Sequence, residues 1–262
     1  MTPEVPENHP RYKSLVTREK IIEGMYQKIV AEAGLIAHGR GEAFDYILGE
    51  SSPAFALKQE KLAIIHLIQA NHPVISINGN VAALCPEEIV QLSHILEAPL
   101  EINLFYRRPE REDAIKSVLE KAGAQKIYGI DSSKQEIIPE ISHQRRIVDS
   151  RGIGRSDCVF VPLEDGDRTT ALRKLGKDVV TVDLNPLSRT SLAATVSITN
   201  NVIRAIKEMG SFAIEYKQMT INELEEEKKQ FNNRVLLQEA LRFMSSRLEE
   251  LSRDNKMFEV QL

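Results

Sequence analysis

The chain has 262 residues, 42% of them apolar and 27% charged, with 34 Lys and Arg against 38 Asp and Glu. That length and balance support a core burying on the order of 75% of the unfolded surface, and they exclude wholesale disorder. A net charge of -4 excludes retention on nucleic acid by bulk charge, and no apolar run approaches the ~18 residues of a membrane span.

Residues 1–10 are polar with three prolines and read as an extended arm. A helix is expected from Glu19 to Ala33, with Ile21, Met25, Ile29 and Ala33 on one face and Gly34 as its stop. Glu42 to Asn71 also reads helical, broken at Ser51-Ser52-Pro53. Short β-rich runs then alternate with amphipathic helices. The strand candidates are 74–77, 101–105, 126–130, 158–161, 179–182 and 194–198. Pro86 and Pro109 open helices, and Gly123 closes the second. Strands separated by helices imply right-handed crossovers and a mostly parallel α/β sheet covered on both faces. Thr220 and Glu223 form a capping box, from which a long charged helix is expected to run to Arg253. Its Leu237, Leu241, Met244, Leu248 and Leu251 follow a 4-3-4-3 spacing, fit either for packing on the chain's own domain or for a subunit interface. Residues 1–218 are thus expected to form the α/β domain and residues 219–262 a helical extension.

Ligands of such sheets bind beyond the C-terminal strand ends, so the loops there are the candidates for chemistry. Asn78-Gly79-Asn80 follows the first strand and reads either as a turn or as a set of amide donors and acceptors. Asp183-Leu184-Asn185-Pro186-Leu187-Ser188-Arg189-Thr190-Ser191 is richer. An acid at a strand end suits ribose or magnesium, and arginine suits phosphate. Asn200 and Asn201 precede a helix as caps or as ligand donors. His38-Gly39-Arg40-Gly41-Glu42 joins two helical regions, as a hinge or as an anion-approaching loop, while Arg18 alone reads as a solvated charge. Gly152-Ile153-Gly154 precedes a strand and so is no dinucleotide fingerprint, although Arg145, Arg146, Arg151 and Arg155 make the region basic, either to hold a phosphorylated substrate or as an exposed basic loop. Phosphate-loop, nucleophile-elbow and zinc-helix motifs are absent. Cys85 and Cys158 make neither a disulfide framework nor a metal cluster, and Pro3, Glu4, Pro6 and Glu7 lack the regions of a signal peptide, so a cytoplasmic location is expected.

Taken in order, several segments resemble the archaeal 4-phosphopantoate–β-alanine ligases, also called phosphopantothenate synthetases. They are His9-Pro10-Arg11-Tyr12, residues 15–20, residues 34–46 from Gly34 to Tyr46, residues 78–84 and residues 183–191. The resemblance spans Pro10 to about Arg204. It implies a Rossmann-like, homodimeric enzyme of archaeal coenzyme A synthesis that joins 4-phosphopantoate to β-alanine and splits ATP to AMP and diphosphate, with Mg2+. It also implies an ATP site in which Arg18 and Arg40 hold phosphates and Asp183, Leu184 and Asn185 line the nucleotide. Arg189, Thr190, Asn201 and Val202 would continue that site. Asn78, Asn80 and Arg155 are our own candidates for contacts to the acid substrate. A small-molecule kinase or a non-catalytic nucleotide sensor are the competing readings. No nucleic acid or membrane partner is expected.

Overall fold

A computed structural model describes residues 6–9, 11–163 and 166–254. The chain starts with three helices, α1 (Tyr12–Tyr26), α2 (Glu32–Leu48) and α3 (Ala54–Gln69). Then follow β1 (Pro73–Ile77), α4 (Gly79–Leu84), α5 (Pro86–Leu96), β2 (Leu100–Ile102), α6 (Pro109–Lys121) and β3 (Ile127–Tyr128). A small antiparallel hairpin, β4 (Gln135–Ile137) and β5 (Ile147–Asp149), precedes the second half of the sheet. That half comprises β6 (Cys158–Pro162), α7 (Gly166–Lys174), β7 (Asp178–Val182), α8 (Arg189–Ala193) and β8 (Val196–Ile198). Three helices end the described chain: α9 (Val202–Tyr216), α10 (Ile221–Lys229) and α11 (Asn233–Arg253).

Six strands form one parallel sheet in the order β3-β2-β1-β6-β7-β8. Counted within the sheet this is 3-2-1-4-5-6, the Rossmann order, with its switch point between β1 and β6. Strand alternation divides the core. Cys158 and Phe160 of β6 join the larger cluster with Val180 and Val182, beneath α3, α5 and α9. Val159 and Val161 point the other way, into a smaller cluster with Val148 of the hairpin and Leu172 of α7. Both faces are covered, as buried parallel strands require. A third cluster, Leu48, Phe55, Ala56, Ala240 and Met244, fastens α11 to α2 and α3.

Pro86 and Pro109 occupy the first turns of α5 and α6, as expected, and Gly123 follows the end of α6 at φ +95°. Three expectations are corrected. The first helix spans 12–26 rather than 19–33. It ends where Lys28 enters the left-handed region at φ +62°, without a glycine to announce the turn. Gly34 does not stop a helix, and 38–42 is no hinge, because α2 runs unbroken through Gly34, Gly39 and Gly41. The long C-terminal helix is two helices. α10 keeps the capping box, but Asn232 caps a new helix by accepting from the Val235 amide.

Candidate active site

A cavity of about 910 Å³ opens at the C-terminal ends of the strands. Its walls come from α1 and α2, from the loops after β1, β2, β6, β7 and β8, and from the starts of α6 and α9.

Two glycines of α2 explain how a helix can form such a wall. A Cβ on Gly34 would collide with the side-chain oxygen of Asn80, and one on Gly41 would touch Leu184 at 3.5 Å. Each glycine costs about 1 kcal/mol of helix propensity. In return the helix approaches the β1 and β7 loops closely. Asn80 Nδ2 donates to the Gly34 carbonyl at 2.9 Å, locking α2 onto α4. Asn78 caps α4 by accepting from Val81 N, and its amide donates to the Pro162 and Leu163 carbonyls at 2.9 and 3.0 Å. Both asparagines line the cavity, but the Asn78 amide is spent on holding loops, whereas Asn80 gives one N–H to Gly34.

The β7 loop is latched by its own side chains. Asp183 accepts from Asn185 N at 2.9 Å and from Ser188 Oγ at 2.5 Å, and Ser188 caps α8 through Ser191 N. Burial raises the Asp183 pKa, which those two hydrogen bonds and the charge of Arg40 oppose. Asn185 accepts from the Leu187 amide through its side chain and from Ser191 Oγ through its carbonyl. Of this loop, Leu184 reaches the cavity lining. Arg40 is exposed on α2. Arg189 is exposed at the start of α8 and pairs with Asp167 at 2.5 Å, while Thr190 is buried. Arg18 lies exposed on α1 beside Glu19.

The β8 loop carries a buried polar network. Asn201 caps α9 through the Ile203 amide and donates to Asp45 Oδ2 of α2 at 2.9 Å. Arg204 grips the same carboxylate through both terminal nitrogens, at 2.5 and 3.1 Å. Its Nε donates to Asn200 Oδ1, whose amide nitrogen reaches Ser52, Glu60 and Glu208. Asn201 and Val202 line the cavity above this network.

The structure therefore gathers Leu184, Asn201, Val202, Asn78 and Asn80 around one cavity. It does not bring Arg155 there. That residue precedes β6 and donates to His72, which precedes β1, so both lie at the opposite end of the strands. Sequence reasoning missed Arg111 and Lys20, and it read Arg145 only as part of a basic stretch and His38 only as part of the 38–42 segment; all four line the cavity. Burial pushes the His38 pKa below its usual value, against the pull of Glu42 and Asp45. The signal for Arg111 was present as the basic run Arg107-Arg108-Pro109-Glu110-Arg111 directly after a strand.

Among the described residues, no group of three or more His, Cys, Asp or Glu is placed to hold a metal, and no helix is long and apolar enough to cross a membrane. A model of the family described as phosphopantothenate/pantothenate synthetase matches residues 55–247. A protein of Thermococcus kodakarensis named 4-phosphopantoate–β-alanine ligase is 48% identical over 251 residues, covering 95% of each chain. Its namesakes are 47% identical in Thermococcus onnurineus, over 95% of each chain, and 45% in Methanosarcina mazei, over 95% of this chain and 97% of that one. With the family model spanning most of the chain and such identity extending over nearly all of it, the chain belongs to the phosphopantothenate/pantothenate synthetase family.

Proposed function

We propose that the chain is an ATP-dependent ligase that condenses (R)-4-phosphopantoate with β-alanine. Its products would be 4'-phosphopantothenate, AMP and diphosphate, in archaeal coenzyme A synthesis in the cytoplasm. Near full-length identity to ligases of that name carries this reading. The cavity at the strand ends supports it, since it is large enough for several small ligands at once.

ATP would lie toward β7 and β8. Leu184, Asn201 and Val202 line that end, with Asp183 and Asn185 shaping the loop beneath. Arg18, Arg40 and Arg189 would serve the triphosphate from the exposed surface, with Thr190 buried behind Arg189. Binding would require Arg189 to exchange Asp167 for phosphate, a swap its exposure permits. Magnesium would arrive with the triphosphate and offset its charge, as this ion is commonly held by phosphates and few carboxylates.

A carboxylate is a poor acyl donor because its oxide leaves badly. In the proposed sequence, the substrate carboxylate attacks the α-phosphorus of ATP, forming an acyl-adenylate and releasing diphosphate. The neutral amine of β-alanine then attacks the acyl carbon, AMP leaves with the C–O bonding pair, and the extra proton on nitrogen passes to water. The chain contributes position and electrostatics. The Asp45–Arg204–Asn201 network would fix the β8 loop against which the nucleotide rests.

The test is a product assay with ATP, Mg2+, 4-phosphopantoate and β-alanine. AMP and diphosphate formed one-for-one with a new amide are expected. ADP as the sole nucleotide product would replace this mechanism with phosphoryl transfer. ATP binding without turnover would favour a sensor.

A further inference from the structure

The face of α2 that lines the cavity carries a histidine with no structural task. Gly34, His38, Gly41 and Asp45 recur at helical spacing and form one stripe of that wall. An added Cβ at Gly34 would meet Asn80 of the β1 loop, and one at Gly41 would meet Leu184 of the β7 loop. His38 stands between the two glycines, about 6 Å along the helix axis from the first and about 4.5 Å from the second. It therefore lines the cavity midway between the β1 and β7 loops.

Its neighbours on this wall are committed. Asp45 is held by Arg204 and Asn201, and Glu42 accepts from Ser14 Oγ and, at 3.1 Å, from the Tyr46 hydroxyl. The cavity's other histidine, His9, accepts the Arg11 amide at Nδ1. The His38 ring is half-buried and has no hydrogen-bond partner among the described residues. The charged groups of the lining around it are Glu42 and Asp45 on its own helix, Lys13 and Lys20 of α1 and Arg204 of α9. Burial outweighs the two carboxylates and holds its pKa below the usual histidine value. The imidazole is thus neutral, and able to accept a proton, at neutral pH.

β-Alanine reaches the site as an ammonium, whose pKa resembles the ~10.4 of a lysine side chain. One proton must leave before its nitrogen can attack, and a second as the amide forms. Water is the final acceptor but a weak base. With ATP against Leu184 and Asn201, the acyl group joined to its α-phosphate lies inward of the β7 loop, along the stretch of α2 that His38 occupies. We propose that His38 is the base of amide formation. The nitrogen lone pair forms the C–N bond, AMP leaves with the C–O pair, and the imidazole takes the proton from nitrogen and releases it to water. This rests on the ligase reading.

The test compares wild type with His38→Gln in two assays on the full chain. Exchange of labelled diphosphate into ATP, with 4-phosphopantoate and without β-alanine, reads adenylate formation. Amide formation with β-alanine reads the whole reaction. The variant is expected to keep exchange within about threefold of wild type and to lose about 10²–10⁴-fold in kcat for the amide. KM for β-alanine stays within about threefold, since the lost contact acts in the transition state. Wild-type kcat falls as pH drops through the lowered His38 pKa, and the variant lacks that limb. Undiminished amide formation in His38→Gln overturns the assignment, as do an equal loss in both assays and a loss confined to KM for β-alanine. Should the glutamine variant fail to fold, His38→Asn decides by the same comparison. Wild type that neither exchanges diphosphate nor forms amide defeats the ligase reading itself, a result distinct from any difference between wild type and variant.

Discussion

Glu60 is fully buried between α3 and α9, where Oε1 accepts from Asn200 Nδ2 at 2.8 Å. Burial pushes its pKa up to about 9, opposed by the Asn200 bond and reinforced by Glu208. A carboxyl shifted this far holds its proton at neutral pH, beside Glu208. An unfolded chain releases that proton above about pH 4.5, whereas the folded chain retains it to about pH 9. Stability therefore falls as pH rises through this window, by at most about 1.4 kcal/mol per pH unit from this group. Glu60→Gln reproduces the protonated acid, with an oxygen for Asn200 and an amide for Glu208. It should melt higher than wild type at pH 8 and match it near pH 4.5; equal melting temperatures at both would show that Glu60 is ionised in the fold. At this same scale, sequence reasoning recognised which loops face the cavity but not which atoms are free. Asn78 is consumed by, and Asn80 partly engaged in, backbone contacts with residues far along the chain, Leu163 and Gly34. Such partners leave no mark in local spacing.

Among the elements, α2 depends on where each of its glycines sits. Gly34→Ala gains about 1 kcal/mol of helix propensity but drives a methyl into the Asn80 oxygen and to 2.9 Å from Val30 Cγ1. The net loss should be about 1–3 kcal/mol. Gly39 has nothing within 4 Å of an added Cβ, so Gly39→Ala should be neutral or stabilising. Thermal melts of the pair give opposite signs if close approach, rather than flexibility, keeps glycine at position 34. All six strands of the main sheet were legible, because buried β-branched runs between prolines and glycines have few other readings. The β4–β5 hairpin was not, since its strands are three residues long and β4 is mostly exposed. The α1 boundary was illegible for a different reason. Lys28 makes the reversal that Gly34 was expected to make, and lysine carries no turn signal.

For the whole molecule, α11 bears on whether copies of the chain can pair. The expected leucine stripe divides: Leu237 and Met244 pack inward, whereas Leu248, on the same face further along, is 50% exposed. We propose that this exposed end of the strip forms part of a homodimer contact. Leu248→Glu should give a folded monomer in analytical ultracentrifugation; a persisting dimer removes the strip from the interface. Truncation is the wrong instrument, because Leu224 of α10 and Leu236 of α11 belong to the main core.

The cavity draws its walls from Glu7 through Arg204. β1 has β6 for a neighbour, with paired residues 85 positions apart in the chain, as Pro73 and Cys158 are. On the ribosome, the N-terminal helices and β1 emerge long before the partner strand exists, and the β8 loop emerges last. No truncated product of synthesis or proteolysis ending before Asn201 owns both ends of the site. The cavity is thereby assembled only after nearly four-fifths of the chain has been made.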